Sequence, residues 1–221
     1  MCVGDLHLPF IDKVAFGKLL SFVEQMPQKP SHIVQVGDLF DFFSFSRFPR
    51  SPNIMSPQEE ILTGRAAAEE VWLSLKHRAP EALCYQLLGN HDLRIGKRLK
   101  EKFPEICDIV DLSDLWKFDG VQTTFDDREP LVIDDIHFIH GFKTVLGSHS
   151  RHFMSKVVCG HSHRGGVALI PTATRGLIYE LNCGFLADVN HEALKYTPSK
   201  ITNWTTGFGL IDSFGPRFVS L

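Results

Sequence analysis

The sequence predicts an α/β protein of two packed mixed β-sheets flanked by helices, and three observations predict it. In the first half, short β-rich runs alternate with stretches of helical periodicity, the order that builds a parallel sheet. In the second half strand signals dominate, which calls for a second sheet packed on the first. Apolar runs also end repeatedly at a glycine or histidine, with Asp, Asn or His placed at the strand end, the edge of an α/β fold where ligands collect.

In chain order, a very short apolar start leads into Asp5-Leu6-His7, a carboxylate and an imidazole two residues apart. Asp12 can cap a helix to about Gln25, with Val14, Leu19, Leu20 and Val23 as its apolar stripe and the prolines Pro27 and Pro30 ending it. Residues 32–36 read as a strand ending at Gly37-Asp38-Leu39-Phe40-Asp41. Asp38 serves there either as a ligand or as a helix N-cap, and Asp41 is the more structural of the two. From Phe42 to Arg50 aromatic and basic residues alternate, namely Phe43, Phe45, Arg47, Phe48 and Arg50, and Pro49 and Pro52 argue against regular structure. Such a loop either lines a cleft with stacking faces and phosphate partners or folds onto the core as an apolar cover. Ser56-Pro57-Gln58-Glu59 is a capping box opening a helix to about His77, with Ile61, Leu62, Val71, Trp72 and Leu75 on its buried side. Residues 42–80 together read as a loop-helix insertion near the site.

Residues 82–88 form the next strand, which ends in Gly89-Asn90-His91-Asp92. Arg94, Lys97, Arg98, Lys100 and Lys102 then read as the solvated face of a helix, with Arg94 placed to meet substrate. Residues 103–127 carry few periodic signals and read as loop plus short elements. Residues 131–133 and 136–139 flank Asp134-Asp135 as a hairpin, whose second strand ends in His140-Gly141. His137 reads as a packed or surface residue, and His149 and His152 as surface residues of a helix before Val157. The strand Val157-Val158-Cys159 runs into Gly160-His161-Ser162-His163-Arg164-Gly165-Gly166, where two histidines at i, i+2 can reach one cation or two adjacent ones. Gly160 is expected to let the backbone turn tightly. Residues 168–170, 177–181 and 209–211 read as antiparallel strands closing the second sheet.

Composition narrows the classes. A chain of 221 residues with 43% hydrophobic residues suits one globular domain spanning 1–221. No apolar run approaches the roughly 18 residues of a membrane span, and nothing before Asp5 resembles a signal peptide, so the expected place is the cytosol. Five scattered cysteines without a C-x-x-C argue against a disulfide framework or a zinc knuckle. A net charge of -3 gives no general pull toward nucleic acid, so a polyanion must be held locally.

Asp5, His7, Asp38, Asn90, His140, His161 and His163 are too many for one tetrahedral zinc and suit two cations. Carboxylate, amide and imidazole donors without thiolate favour manganese, iron or zinc. One carboxylate, Asp38, bridging two ions about 3.5–4 Å apart is the arrangement of a two-metal hydrolytic site, in which the pair holds a phosphate and lowers the pKa of a bridging water.

The series D-x-H, G-D-x-x-D, G-N-H-D, H-G and G-H-x-H, in order from Asp5 to His163, resembles the calcineurin-like metallophosphoesterase superfamily. The resemblance implies a four-layer α/β/β/α sandwich and two divalent metal ions, manganese first, with iron, zinc or nickel as alternatives. It implies that Asp5, His7 and His163 hold one ion and Asn90, His140 and His161 the other, with Asp38 shared. His91 is then no ligand but the proton donor to the leaving oxygen, with Asp92 orienting its ring. The protein serine/threonine phosphatases of the superfamily carry arginine and glutamate where Phe42 and Asp92 stand, which counts against a phosphoprotein substrate. The opening and G-N-H-D blocks look closer to phosphodiesterases and small phage or bacterial nuclease-like members. The expectation is hydrolysis of phosphodiester bonds in nucleic acid or nucleotides, with Arg94, Arg47 and Phe45 binding substrate and no membrane or protein partner required. A phosphomonoesterase is the alternative, and a catalytically silent scaffold is disfavoured by the retained His91 and ligand positions.

Overall fold

The computed structural model describes residues 1–47, 55–125, 129–194 and 203–221; Phe48, Pro49, Arg50 and Pro52 of the aromatic-basic loop lie outside the described residues. In the first half, β1 (Cys2–Val3), β2 (His32–Val36), β3 (Leu83–Leu87) and β4 (Val121–Thr124) run parallel as neighbours. α1 (Lys13–Gln25) and α2 (Pro57–Arg78) are the crossovers between them and pack on one face of this sheet. Both start where their caps put them. The Asp12 carboxylate accepts the Val14 and Ala15 N–H groups, and Ser56 and Glu59 close a reciprocal capping box.

The buried stripes differ from the expected ones by one residue on each helix. α1 buries Ala15, Leu19 and Val23, an i, i+4 row that leaves Val14 71% exposed. α2 buries Gly64, Ala68, Val71, Trp72 and Leu75, whereas Leu62 is 62% exposed. Gly64 has to be small because the Phe40 ring lies against it, and Trp72 donates its indole N–H to Gln86 of β3 at 3.1 Å. The 42–80 stretch therefore supplies the connection between two neighbouring strands and part of the main core.

The second sheet has the order β5 (Leu131–Ile133), β6 (Ile136–Phe138), β7 (Lys156–Cys159), β9 (Gly176–Asn182), β8 (Gly166–Thr172). β5 and β6 form the expected hairpin, with both turn residues Asp134 and Asp135 at positive φ. α4 (Ser148–Phe153) leads into β7 and covers the outer face. Between the sheets lie Cys2, Val34, Val36, Leu87, Phe138, Val158, Tyr179, Leu181 and Cys183, while Ile33 and Cys84 point to the helices, as strand alternation requires.

One expectation needs correction. The strand at residues 209–211 belongs to the first sheet: β10 (Gly207–Asp212) pairs antiparallel with β1 and is followed by the edge strand β11 (Gly215–Ser220). The stretch after residue 103 is, as expected, loop with short elements, among them the edge strand β4, whose sequence Val-Gln-Thr-Thr lacks clean alternation. All five cysteines are free, and four are buried.

Candidate metal centre and active site

The carboxyl ends of β1, β2, β3, β6 and β7 open onto one edge, and the seven expected ligand residues lie on the loops that follow. His7 Nδ1 is 2.9 Å from the Asp41 carboxylate, a bond that requires the proton on that nitrogen and leaves Nε2 bare. Nε2 faces His163 Nε2 at 3.3 Å, Asp5 Oδ1 at 3.9 Å and Asp38 Oδ2 at 4.0 Å, and His163 Nε2 is 3.2 Å from Asp5 Oδ1. On the other side of Asp38, His140 gives its Nδ1 proton to the Val36 carbonyl at 3.0 Å and aims Nε2 at Asp38 Oδ2 (3.2 Å) and Asn90 Oδ1 (3.1 Å). His161 Nδ1 completes this half, 2.8 Å from Asn90 Oδ1.

Two groups of lone pairs thus converge, with the Asp38 carboxylate between them. Oxygen and nitrogen atoms 3–4 Å apart are at the separation of neighbouring ligands around one ion with bonds of about 2.0–2.2 Å. The electrostatics agree. Burial opposes ionisation of Asp38, yet His140, His91 and His7 hold its carboxyl well below the usual range. Burial would likewise lower His140, but the Asp38 charge pushes it up to about 10. The space between Asp38 and His140 Nε2 therefore calls for a positive charge, which a proton or a metal ion can supply. His7 is held below the ordinary imidazole value by burial and by His91, and His161 by burial and by His140, so both rings are neutral and able to ligate. The donor set fits a pair of divalent cations.

Close backbone approach explains the motif glycines. A Cβ on Gly89 would run into the Asp38 carboxylate, and one on Gly160 into Asp5 Oδ2. The chain does turn tightly here, the Ser162 N–H closing on the Gly160 carbonyl at 2.8 Å, but the residue at positive φ is His161, and the glycine's own contribution is room for Asp5. Five of the expected ligand residues, Asp5, His7, Asp38, His161 and His163, are themselves at positive φ, as are the motif glycines Gly37 and Gly141.

His91 is buried beside this cluster, its Nε2 3.9 Å from Asp38 Oδ2. Arg94 Nη2 lies 3.0 Å from the same nitrogen. A guanidinium can only donate, so Nε2 accepts and the proton sits on Nδ1, 3.4 Å from Asp41 Oδ2. The neighbouring guanidinium also argues against His91 as a metal ligand. The expected orienting role of Asp92 is corrected. Its carboxylate accepts the backbone N–H groups of Gly89 (2.8 Å), Phe40 (2.9 Å) and Leu39 (3.3 Å), tying the loops after β2 and β3 together. Asp41, expected to be structural, is the group facing the rings of His7 and His91 and the Arg94 guanidinium (3.0 Å). Its spacing three residues after Asp38 was the available signal.

A cleft of about 530 Å³ opens on Asp38, Asn90, His91, His161 and His163. Phe45 and Arg47 form one side and α3 (Arg94–Lys102) the other. A 3₁₀ turn at Phe43–Phe45, where irregular structure was expected, is fixed by buried Glu60, which accepts the Phe43 and Ser44 N–H groups at 2.6 and 2.8 Å. Phe42 instead stacks on Phe40 in the core. Arg94 lines the cleft, but its guanidinium also holds the Asp41 carbonyl at 2.8 Å.

His149 is the other correction: it is buried, not a surface residue. Its Nε2 accepts the Phe142 and Lys143 N–H groups at 3.1 Å each, just after His140, while Nδ1 faces Glu180 Oε1 at 3.3 Å. Glu180 Oε2 accepts the His149 and Ser150 N–H groups. Asn182 similarly donates to the Gly160 carbonyl at 2.7 Å and so braces the loop carrying His161 and His163.

Comparison with known proteins gives the geometry its context. The chain is 24% identical over 231 residues to the Gene 54 protein of Mycobacterium phage D29, covering 95% of this chain and 86% of that protein. To the Gene 54 protein of Mycobacterium phage L5 it is 22% identical over 226 residues, with the same coverage of each. No helix among the described residues is long and apolar enough to cross a membrane. The family model for calcineurin-like phosphoesterases matches residues 1–165, from the first strand to just past His163, so the chain belongs to that family of metal-dependent phosphoester hydrolases.

Proposed function

We propose that the protein is a binuclear-metal phosphodiesterase acting on nucleic acid or nucleotides. The observation that carries this reading is the cleft itself, whose floor is the two-sided ligand cluster and whose walls combine an aromatic ring, Phe45, with the cations Arg47, Arg94, Lys97 and Arg98. A phosphate diester brings one negative charge for the floor and two organic substituents for the walls. Asp5, His7 and His163 would hold one cation and Asn90, His140 and His161 the other, with Asp38 between them. Bound there, two divalent ions, manganese first with iron, zinc and nickel as alternatives, supply Lewis-acid polarisation of the phosphate and an activated water.

The chain's own residues do the rest. Asp41 keeps the Nδ1 proton of His91 in place and the ring turned to the cleft. When the leaving oxygen enters between His91 Nε2 and Arg94 Nη2 it frees Nε2, which takes up a proton from water in the cleft and passes it to that oxygen, while the guanidinium neutralises charge as the P–O bond breaks. Phe45 offers a face for a base or another flat substituent.

The test compares Mn²⁺-supplemented rates on bis-p-nitrophenyl phosphate and p-nitrophenyl phosphate. A clear preference for the diester is expected, and a large preference for the monoester would establish the phosphatase alternative instead.

A further inference from the structure

Resting on the diesterase reading, the geometry points to a second phosphate subsite on α3, formed by Lys97 and Arg98, that takes a phosphate carried by the leaving group. α3 presents residues 94, 97, 98 and 101 to the cleft, the i, i+3, i+4, i+7 positions of one helical face. Arg94 is the inner end of that face and touches His91, the residue that faces the leaving oxygen. Lys97 and Arg98 follow one turn further out, about 5.4 Å along the axis. The basic side of the cleft therefore runs away from the leaving-group side of the scissile phosphate.

Three details shape the subsite. Arg94 is committed to Asp41 and His91, whereas Lys97 and Arg98 are exposed cations. Glu101 Oε2 lies 3.8 Å from Arg98 Nη1 across exposed side chains, a pair weak enough for a phosphate to displace. Glu101 also stands at the outer end of the lining face, so the basic run stops after one turn. Along this face of α3, therefore, one further phosphate is held. Lys100 and Lys102, on the same helix, do not line the cleft.

The experiment uses the full chain with Mn²⁺ and three substrates: dithymidine phosphate, and the same dinucleotide with a further phosphate on its 5′ or its 3′ end. Product identification shows which nucleoside leaves. The extra phosphate on that nucleoside should raise kcat/KM about tenfold, the size of one charge-assisted hydrogen bond, and on the other nucleoside should have no such effect. Lys97→Ala with Arg98→Ala should bring the ratio near one, whereas the charge-matched pair Lys100→Ala with Lys102→Ala should keep it. Equal gains from both ends, a ratio that survives in the first pair, or a ratio lost equally in the control pair would overturn the subsite while leaving the diesterase reading in place. If none of the dinucleotides is cleaved while p-nitrophenyl phosphate is, the diesterase reading falls and the subsite with it.

Discussion

Asp92→Asn separates two roles that adjacent sequence positions confuse. The carboxylate receives three buried N–H groups, those of Gly89 and Leu39 on Oδ2 and that of Phe40 on Oδ1. Asparagine keeps one acceptor, so if its oxygen takes the Oδ2 position the amide –NH₂ is set against the Phe40 N–H. Leaving that donor unsatisfied costs about 1–3 kcal/mol, and the other two bonds weaken as their acceptor loses charge. Burial and the Asp38 charge push Asp92 up to about 7, so part of that charge is already lost near neutrality and the total stays near about 2–3 kcal/mol. For a chain of this size that is a fall in Tm of about 4–12 °C. Because Leu39, Phe40 and Gly89 flank Asp38 and Asn90, metal affinity should weaken as well. The assay is thermal unfolding and Mn²⁺ titration beside turnover at saturating metal, which should stay within about tenfold of the parent. Asp41→Asn should do the reverse, costing turnover roughly the 10²–10⁴ of a lost general acid because the ring of His91 is no longer held. Unchanged Tm with a collapse of turnover in Asp92→Asn would mean that Asp92 does orient the ring.

Asp38→Asn should weaken binding of both metal ions, read by metal analysis, and abolish turnover. His91→Ala should keep metal content and lower turnover by roughly 10²–10⁴; loss of a metal would make His91 a ligand. Gly160→Ala drives a methyl into the Asp5 carboxylate, and calorimetric titration should show Mn²⁺ affinity falling by about tenfold or more. Glu180→Gln tests the bracing behind His140. Burial would raise the Glu180 carboxyl, but the His149 ring and the Ser150 and Gly147 N–H groups hold it below its ordinary 4.5. A depressed folded value means stability present above 4.5 and lost as pH falls through the folded value, so the variant should be about 1–3 kcal/mol less stable at neutral pH. Denaturant unfolding should show that gap closing as pH falls below 4.5.

The gathering of the expected ligand residues was legible in the sequence because each follows its strand within a few positions, so local pattern and final place coincide. Asp5, Asp38, Asn90, His140, His161 and His163 needed no tertiary information beyond a shared edge. The partners of those residues were not legible. Asp92 sits next to His91 in the chain, yet it is Asp41, fifty residues earlier on another loop, that faces the ring. His149 and Glu180 lie 31 positions apart, and nothing local marks either as the brace of the His140 loop. β10 shows the same limit for the fold. Its strand character was clear, but its pairing with β1 rather than with β9 depends on which edge of the first sheet was open.

What the sequence motifs encode is more than a list of donors, because the donors sit in backbone that resists them. Asp5, His7, Asp38, His161 and His163 have φ between 47° and 68°. Left-handed backbone costs about 1–2 kcal/mol per residue, less for Asp than for most, so five such residues amount to about 5 kcal/mol or more. That is comparable with the lower end of the net stability of a whole domain, about 5–15 kcal/mol, so the loops must be held by something other than the ions they bind. They are held by one another. The Asp5 N–H donates to the Gly37 carbonyl and the His7 N–H to the Asp38 carbonyl, both at 3.1 Å, so the first loop leans on the second. The His161 N–H donates to the Asp5 carboxylate at 3.0 Å, and the Gly160 N–H to the His140 carbonyl at 2.9 Å, so the last loop leans on the first and on the one before it. Thr205, after β9 and before β10, closes the ring by donating to the His163 carbonyl at 2.8 Å. Strain distributed over mutually supporting loops fixes the donors before metal arrives. It also couples the two halves of the centre, since no ligand loop can relax without releasing a neighbour that carries a ligand of its own.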